Sequence, residues 1–436
     1  MTAEKRKIYY GWYIVAVCFL AMFFLSGIGY TFAVYFKVFI EEFKWSRTAL
    51  SGVVSASLVV GGLAAPFWGN WTDRAGGRAV MITAAFFAGL SLLLRAGIST
   101  LWQLYVISIA GSVFFAGVSL IPLSAIISHW FQKKRGAAMG LTLIGGSTGG
   151  FLMPPLAEYL IELTGWRISY LILAVILWGG VIPVAALILR RSPSAIGLLP
   201  DGKGSESERM KPGGLEEIIS QEKTVKLPAE EFTLQQAMRT VTFWMIAAAF
   251  FFPMMSGVGL ITHLVVVLTD AGIDTRLASV CLGLVAILGI AGRVTFGFAA
   301  DRFPVRKVFT ACYILETISV CMLLALPLIG TKAFFAYVLV YGLTGGGGLV
   351  LAPLIIGECF GLKSLGAIFG VLAISGVAGG AIGPLLAGFI FDTTGGYYLA
   401  FVIFATGEAI AAFAISRAKI MRSPSIETAI VAGVLD

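Results

Sequence analysis

The sequence has little charge and few of the residues that carry catalysis. Only 12% of its 436 residues are charged, whereas 58% are hydrophobic and the mean hydropathy is +0.93. This composition excludes a soluble domain, because too few polar residues exist to cover its surface. The two His and five Cys show no CxxC spacing, so we predict neither a metal site nor a disulfide framework. No catalytic constellation occurs, and we expect no enzyme activity and no cofactor.

The sequence does contain many long apolar runs. A helix needs about 20 apolar residues to cross a bilayer. Runs of that length lie near 11–36, 48–69, 79–98, 101–128, 137–161, 168–189, 242–268, 277–299, 307–329, 333–358, 365–391 and 396–416. We therefore predict an all-α membrane protein with twelve transmembrane helices. The first run is too long for the core of a signal peptide and has no small-residue cleavage site behind it.

The basic residues are distributed unequally between the two sides of these predicted spans. With the N-terminus inside, 23 of the 31 Lys and Arg lie on the inner side and 7 on the outer side. Because basic residues concentrate in cytoplasmic segments, both termini should be cytoplasmic. The net charge of +8 then reflects topology rather than a nucleic-acid partner. With no transit peptide in the sequence, we expect a multi-pass protein of the plasma or inner membrane.

The sequence repeats itself once. GNWTDRAGGR at 69–78 matches GFAADRFPVR at 297–306, and the glycines of 140–150 match those of 370–380 at nearly the same offset. Two separate motifs at nearly one offset indicate duplication. We predict an N-terminal six-helix bundle over 1–190, a polar cytoplasmic linker over 191–240 and a C-terminal six-helix bundle over 241–436.

Three short segments carry a resemblance to known families. The run at 69–78 resembles the signature loop of the major facilitator superfamily. WFQKKRGAAMGLTLIGGSTGG at 130–150 resembles a signature of monocarboxylate transporters, and PSAIGLLPDGK at 193–203 resembles the oxalate/formate antiporter branch of that group. The resemblance implies two pseudo-symmetric six-helix bundles that work by alternating access around a central substrate site.

The repeated GxxxDR motif predicts a conformational latch on the cytoplasmic side, in the loop after the second span. Asp73 can accept hydrogen bonds from a helix N-terminus or from an Arg, which would hold the two halves closed. The alternative is a basic loop with turn residues. The predicted latch residues are Gly69, Asp73, Arg74, Arg78, Asp301 and Arg302.

Arg293 is the main candidate for substrate binding. It lies within the eighth span, where a charge costs at least about 3 kcal/mol unless it faces a cavity and finds a partner. No acid lies within four residues, so a carboxylate substrate is the expected partner. The resemblance also implies a substrate-binding arginine at this position. The alternative is pairing with a distant helix or with the cytoplasmic interface.

The sequence differs from the resembling families in two features. One bears on how transport is coupled to an energy source, and the other on how many carboxylates the substrate carries. Gly289 stands where the mammalian transporters carry an aspartate one turn before the arginine, which puts coupling through an Arg–Asp pair in doubt. The predicted span 365–391 has no Lys or Arg, whereas oxalate carriers have a lysine there. One cavity cation suits one carboxylate, so we favour a monocarboxylate.

Other polar residues within the spans are weaker candidates. Tyr337 and Tyr341 lie one turn apart on one face of the tenth span, and Tyr30 lies in the first span. A phenol suits a small amphipathic acid, although tyrosines also mark membrane interfaces. His263, in the seventh span, is either a proton relay or a hydrogen-bonding residue of the cavity or interface. Glu316 and Glu408, in peripheral spans, are expected to pair structurally rather than to act in transport.

The sequence therefore predicts a secondary transporter for a small organic anion such as lactate or pyruvate. Its expected partners are that anion, protons or a counter-anion, and the lipid bilayer. Proton symport is the leading hypothesis, and exchange of two carboxylates is the alternative. A drug exporter is less favoured because such cavities typically carry acids. A non-transporting receptor is disfavoured because it would usually need an added domain or a long tail.

Overall fold

The computed structural model describes residues 9–132, 134–190, 192–202, 232–325, 331–361 and 364–419. Most of the predicted linker, 203–231, lies outside these ranges. The described residues form mainly helices. These are α1 Gly11–Phe43, α2 Arg47–Ala75, α3 Gly77–Arg95, α4 Leu101–Phe115, α5 Leu120–Trp130, α6 Arg135–Thr164, α7 Trp166–Ile188, α8 Leu234–Met238, α9 Val241–Asp270, α10 Thr275–Arg302, α11 Val305–Leu324, α12 Thr331–Thr344, α13 Gly347–Phe360, α14 Leu365–Thr394 and α15 Tyr398–Arg417.

These helices have the length and composition of membrane spans. Within the described ranges, eleven segments are long and apolar enough to cross a bilayer, with α4–α5 and α12–α13 each forming one segment. The remaining predicted span corresponds to α6, which has 30 residues but is rich in Gly and contains two Pro. Large apolar side chains such as Leu63, Leu187 and Val241 are 71–77% exposed. Exposed apolar surface of this kind requires a lipid environment.

The chain forms two compact units. The first contains Met1–Tyr35 and Val59–Lys226, and the second contains Phe36–Leu58 and Leu227–Asp436. Phe36–Leu58 comprises the end of α1 and the start of α2 and groups with the second unit. The predicted bundle boundaries at 190 and 241 place this segment in the N-terminal bundle. The segment groups with the second unit because it makes side-chain and backbone contacts there, described below.

The core of the second unit lies among α9, α11, α13 and α15. Its large members include Phe243, Phe309, Ile355, Phe360 and Ile415, all at most 1% exposed. Burying a side chain of this size contributes roughly 1.5–3 kcal/mol in water, but within a bilayer the close packing itself is the main contribution. This core fixes the rotation of each helix and hence the direction of its polar side chains.

The predicted duplication appears in the helix pattern. Helices α6 and α14 both have 30 residues, and both end before a glycine of positive φ, Gly165 and Gly395. The fourth span of each repeat is interrupted, between Phe115 and Leu120 in one and between Thr344 and Gly347 in the other. Because the interruption recurs at the same place, it belongs to the repeated unit.

The matched glycines of the two repeats have a packing role. A Cβ at Gly149 in α6 would overlap the carbonyl oxygen of Phe23 in α1, and a Cβ at Gly379 in α14 would overlap that of Phe251 in α9. Both contacts therefore bring two helix backbones together, as small residues do in membranes. By contrast, a Cβ at Gly140 or Gly370 would meet nothing within 4 Å.

Candidate functional site

Arg293 lies within α10, nine residues before its last residue, or about 13 Å along the helix axis. The residue is half-buried, and its Nε is buried. Small residues allow a close helix crossing beside it: a Cβ at Gly292 would overlap the carbonyl oxygen of Leu343 in α12, and Gly289 packs against Gly346. Arg293 therefore lies next to the interruption between α12 and α13.

The two candidate tyrosines of α12 form a pair near this crossing. Tyr337 and Tyr341 stack with ring centroids 5.1 Å apart and are 0% and 5% exposed. The Tyr341 hydroxyl lies over the backbone of Gly257 in α9, since a Cβ there would be 2.8 Å away. Tyr341 is two residues before Leu343, which contacts the neighbour of Arg293. The structure thus brings the backbones of Arg293 and of this tyrosine pair to one helix crossing.

Tyr30 is half-buried in α1 and belongs to the first unit, whereas Arg293 and the tyrosine pair belong to the second. Its predicted role in substrate binding stays a prediction.

The predicted latch residues lie on helix ends rather than in loops. Helix α2 continues through Gly69 to Ala75, and the turn to α3 is made by Gly76 alone, with φ 84°. The prediction of a loop over 69–78 is therefore wrong. Arg74 in the last turn of this helix complements the negative end of the helix dipole. Arg74 is exposed, and the side chain of Asp73 lies outside what the structure describes.

The copy of this motif in the second repeat is similar. Helix α10 ends at Arg302, and α11 begins at Val305 after Pro304. Asp301 and Arg302 occupy the last turn and are exposed, as is Arg78 in the first repeat. The latch function of these residues stays a prediction.

A polar cluster that the sequence did not reveal lies in the second unit around Arg47, the first residue of α2. Arg47 Nη1 lies 2.7 Å from Asp270 Oδ2 and donates to the Tyr397 hydroxyl, also at 2.7 Å. Its guanidinium stacks on the Phe391 ring, 3.5 Å from the centroid. Such stacking suits the planar guanidinium. We call Arg47, Ser51, His263, Asp270, Asp392 and Tyr397 the Arg47 cluster.

Asp392 in this cluster caps the N-terminus of α2. Its carboxylate accepts hydrogen bonds from the backbone N–H groups of Arg47 and Thr48 and from the Thr48 hydroxyl, at 3.1, 2.8 and 2.6 Å. A carboxylate at this position satisfies N–H groups that have no partner within the helix, and it complements the positive end of the helix dipole. This capping is the arrangement that the sequence predicted for Asp73.

His263 completes the cluster and has hydrogen-bond partners at both ring nitrogens. Nδ1 lies 2.9 Å from the Tyr397 hydroxyl, and Nε2 lies 3.0 Å from Ser51 Oγ and 3.1 Å from the Pro384 carbonyl oxygen. Because the Pro384 carbonyl oxygen can only accept, the ring donates its Nε2–H there, which leaves Nδ1 to accept the hydrogen of the Tyr397 hydroxyl. Burial raises the pKa of Tyr397, so this phenol keeps its hydrogen.

The cavity beside His263 is too small for an organic acid. It measures about 10 Å³ and is lined mainly by apolar residues, among them Gly259, Leu260, Phe401 and Phe404. A volume of this size is near the minimum for one water molecule. His263 is thus arranged as a hydrogen-bonding residue, which is one of the two alternatives that the sequence left open, and its predicted contact with substrate stays a prediction.

The match to known families defines the class of protein. Residues 18–298 and 290–429 match the model of the Major Facilitator Superfamily. The chain belongs to this superfamily, and its fold of twelve transmembrane helices in two repeats follows from that membership. The relatives are transporters rather than enzymes.

Individual relatives indicate the group within the superfamily. The chain is 27% identical to monocarboxylate transporter 13 of Rattus norvegicus over 396 residues, covering 90% of this chain and 85% of that protein. It is 24% identical to monocarboxylate transporter 12 of Xenopus laevis over 424 residues, covering 92% and 89%. The predicted membership of the monocarboxylate transporter-like group is confirmed.

Solved structures support the fold alone. A bacterial homologue of the human lysosomal transporter Spinster superposes with a TM-score of 0.66 at 16% identity, covering 94% of both chains. A D-xylose–proton symporter superposes with a TM-score of 0.67 at 14% identity, covering 94% of this chain and all of that one.

Proposed function

We propose that this protein is a secondary transporter of small monocarboxylates, of the lactate or pyruvate type, coupled to protons and working by alternating access. The observation that carries the proposal is Arg293, a half-buried arginine within α10 whose Nε is buried. The names of the relatives, monocarboxylate transporters 12 and 13, support the same class of substrate.

The chemistry of Arg293 explains why the substrate should be an anion. A guanidinium inside the membrane carries a large desolvation penalty. A carboxylate that binds it by two hydrogen bonds removes the net charge. The loaded carrier then closes more easily than the empty one, because the ligand binds the closed state better. Helix α14 contains no Lys or Arg that would balance a second carboxylate, so a monocarboxylate fits better than a dicarboxylate.

The tyrosine pair and the latch complete the proposal. Tyr341 and Tyr337 would contact the apolar part of the substrate, with Tyr30 and His263 as further candidates. Gly69, Asp73, Arg74, Arg78, Asp301 and Arg302 would stabilise the state that is closed to the cytoplasm. Both termini would lie in the cytoplasm, and the protein would reside in the plasma or inner membrane, as the distribution of Lys and Arg favours.

The direct test is uptake of labelled lactate into proteoliposomes under an inward proton gradient. We expect wild type to accumulate lactate, Arg293→Gln to lose uptake, and Arg293→Lys to retain a part of it, because lysine keeps the charge but not the planar fork. Arg276→Gln is the matched control, since Arg276 is exposed at the other end of the same helix. Equal uptake by Arg293→Gln and wild type would refute the role of Arg293.

Carboxylate exchange is the alternative function. Gly289 occupies the position where an acid would assist proton coupling in resembling transporters, which favours an exchanger. An exchanger would take up labelled lactate, oxalate or formate only into vesicles loaded with a counter-anion, whereas a proton symporter needs only the pH gradient. Export of cationic drugs is less favoured still, and the same vesicles would detect it with a labelled cation.

A further inference from the structure

Two glutamates of the second unit lie buried together on the neighbouring helices α11 and α15. Glu316 in α11 is 4% exposed and Glu408 in α15 is 0% exposed, and their carboxyl groups act on each other. The sequence led us to expect a structural pair here. A structural pair would have its hydrogen bonds satisfied, because leaving a buried polar group without a partner is costly.

The hydrogen bonds around Glu408 are not satisfied. Both carboxyl oxygens of Glu408 are buried without a hydrogen-bond partner among the described residues. The Ser256 hydroxyl of α9 and the Tyr337 hydroxyl of α12 are also fully buried and unpartnered. The Ser256 hydroxyl and the Glu316 carboxyl both lie within hydrogen-bonding reach of the Glu408 carboxyl, and Tyr337 lies near both glutamates, yet none of these four buried atoms makes a hydrogen bond of good geometry. We call Glu316, Glu408, Ser256 and Tyr337 the glutamate cluster.

The cluster is rich in acceptors and poor in positive charge. Within the part of the chain that the structure describes, Cys312 and Tyr313 of α11 also interact with it, and no cation is among the groups that act on the two glutamates. Two ionised carboxylates cannot face each other in such a site, because burial and mutual repulsion both disfavour the second charge. At least one of the two carboxyls must therefore hold a proton.

We propose that the glutamate cluster is a proton-binding site of the transport cycle, in which the Glu316 and Glu408 carboxyls share a proton taken from one side of the membrane and released to the other. This inference rests on the proposed function and adds the group that carries the proton. It also supplies an acid elsewhere in the same unit, since Gly289 stands where the resembling transporters carry an aspartate one turn before the arginine.

The structure connects this cluster to the proposed substrate site through two side chains. Tyr337 stacks on Tyr341, and the Tyr341 hydroxyl lies over Gly257, the residue after Ser256. The same helix α12 reaches the crossing beside Arg293 two residues beyond Tyr341. A change in the protonation of the glutamates would therefore alter the electrostatic environment of Tyr337. Through Tyr341 it would also affect the residues that line the proposed substrate site.

The test measures proton uptake and lactate exchange separately. Purified wild type in weakly buffered detergent should take up protons when lactate is added, as reported by a pH-sensitive dye. Glu408→Gln and Glu316→Gln, which mimic the protonated acid, should lose this uptake and should not accumulate lactate under a pH gradient. Both variants should still exchange lactate across vesicles loaded with lactate. Glu358→Gln, a change of an exposed glutamate in α13, should behave as wild type.

The possible outcomes distinguish a failure of this proposal from a failure of the proposed transport function. Lactate accumulation driven by the pH gradient in both glutamine variants would overturn the proton site while leaving the transport function intact. Accumulation driven by a sodium gradient in place of the pH gradient would also overturn it. Absence of lactate exchange in wild type would instead refute the transport function.

A second measurement covers the case in which the glutamine variants fail to fold. The infrared spectrum of wild type should contain a carboxylic-acid band at neutral pH that changes when lactate is added. A spectrum without this band at neutral pH would overturn the proposal.

Discussion

The second unit contains two buried polar clusters that differ in one respect, the satisfaction of their hydrogen bonds. In the Arg47 cluster the guanidinium, both nitrogens of His263, the Tyr397 hydroxyl and the Asp392 carboxylate all have partners at 2.6 to 3.1 Å. In the glutamate cluster, four polar atoms from three helices have none among the described residues. A complete network is expected to contribute rigidity, whereas an incomplete one leaves room for a ligand.

This difference in hydrogen bonding distinguishes residues that the sequence shows only as polar side chains within apolar spans. His263 has the more obvious chemistry, but its hydrogen-bonding capacity is used within the protein. Glu408 lies within α15, and both of its carboxyl oxygens are buried without a well-formed hydrogen bond among the described residues. We therefore expect the proton to bind at the glutamate cluster rather than at His263.

The largest expected effect is the loss of Arg47. Arg47→Ala removes the ion pair to Asp270, the hydrogen bond to Tyr397 and the stacking on Phe391, and should reduce the free energy of unfolding by about 3 kcal/mol. Denaturation in detergent measures it. Arg276→Ala, at an exposed position, should change stability by less than about 0.5 kcal/mol. Equal effects of the two variants would mean that the Arg47 cluster adds no stability.

A smaller loss is expected from Tyr397→Phe. The change removes one hydroxyl with two partners and leaves the His263 Nδ1 atom unsatisfied, so the free energy of unfolding should fall by about 1.5 kcal/mol. Tyr398→Phe is the matched control because Tyr398 is the next residue and is 65% exposed. No difference between these variants in the same denaturation assay would contradict the network described for Tyr397.

Glu408→Met should have the opposite sign. Replacing this buried carboxyl, which faces a second buried carboxyl, by an apolar side chain of similar size removes a desolvation cost and should raise the free energy of unfolding by about 1 kcal/mol. The same variant should fail to accumulate lactate under a pH gradient. Glu358→Met, at an exposed position of α13, should leave both properties close to wild type. Destabilisation by Glu408→Met would show that the interactions of Glu408 with Glu316 and Ser256 outweigh the cost of burying its carboxyl.

The smallest effect is expected from Tyr337→Phe. This change is chemically identical to Tyr397→Phe, but it removes a hydroxyl without a partner and should alter stability by less than about 0.5 kcal/mol. Comparing the two variants in one denaturation series isolates the contribution of hydrogen bonding. A loss equal to that of Tyr397→Phe would erase the distinction between the clusters.

Much of the fold could be predicted from the sequence, because long apolar runs and a duplicated motif are local signals. The helix bounds agree with the predicted spans within a few residues, apart from longer ends such as that of α1. The matched glycines also pointed to close packing, which Gly149 and Gly379 show. The grouping of Phe36–Leu58 with the second unit depends on contacts with residues more than 200 positions away, such as those of Arg47 with Asp270 and of Ser51 with His263, and no local pattern encodes them.

The Arg47 cluster and the glutamate cluster could not be predicted from the sequence, because they also depend on contacts between distant residues. The partners of Arg47 come from two distant helix ends and the adjoining turn, and the only local signal was the Ser-Arg-Thr sequence at the start of α2, which is typical of a helix N-terminus. Glu316 and Glu408 were visible as acids within spans. Whether the side chains of Glu316 and Glu408 face Ser256 and Tyr337 depends on how four helices are rotated about their axes. Tertiary packing determines that rotation.

The glycine contacts between α9 and α14 have a practical consequence for measuring motion. Because backbone meets backbone at Gly379 and Phe251, neither lipid nor solvent fits between these helices, and the two can slide past each other only by separating. Spin labels attached to the outer faces of α9 and α14 should therefore keep a constant separation throughout turnover. The constant distance between these two labels would serve as the reference for measuring the displacement of every other helix.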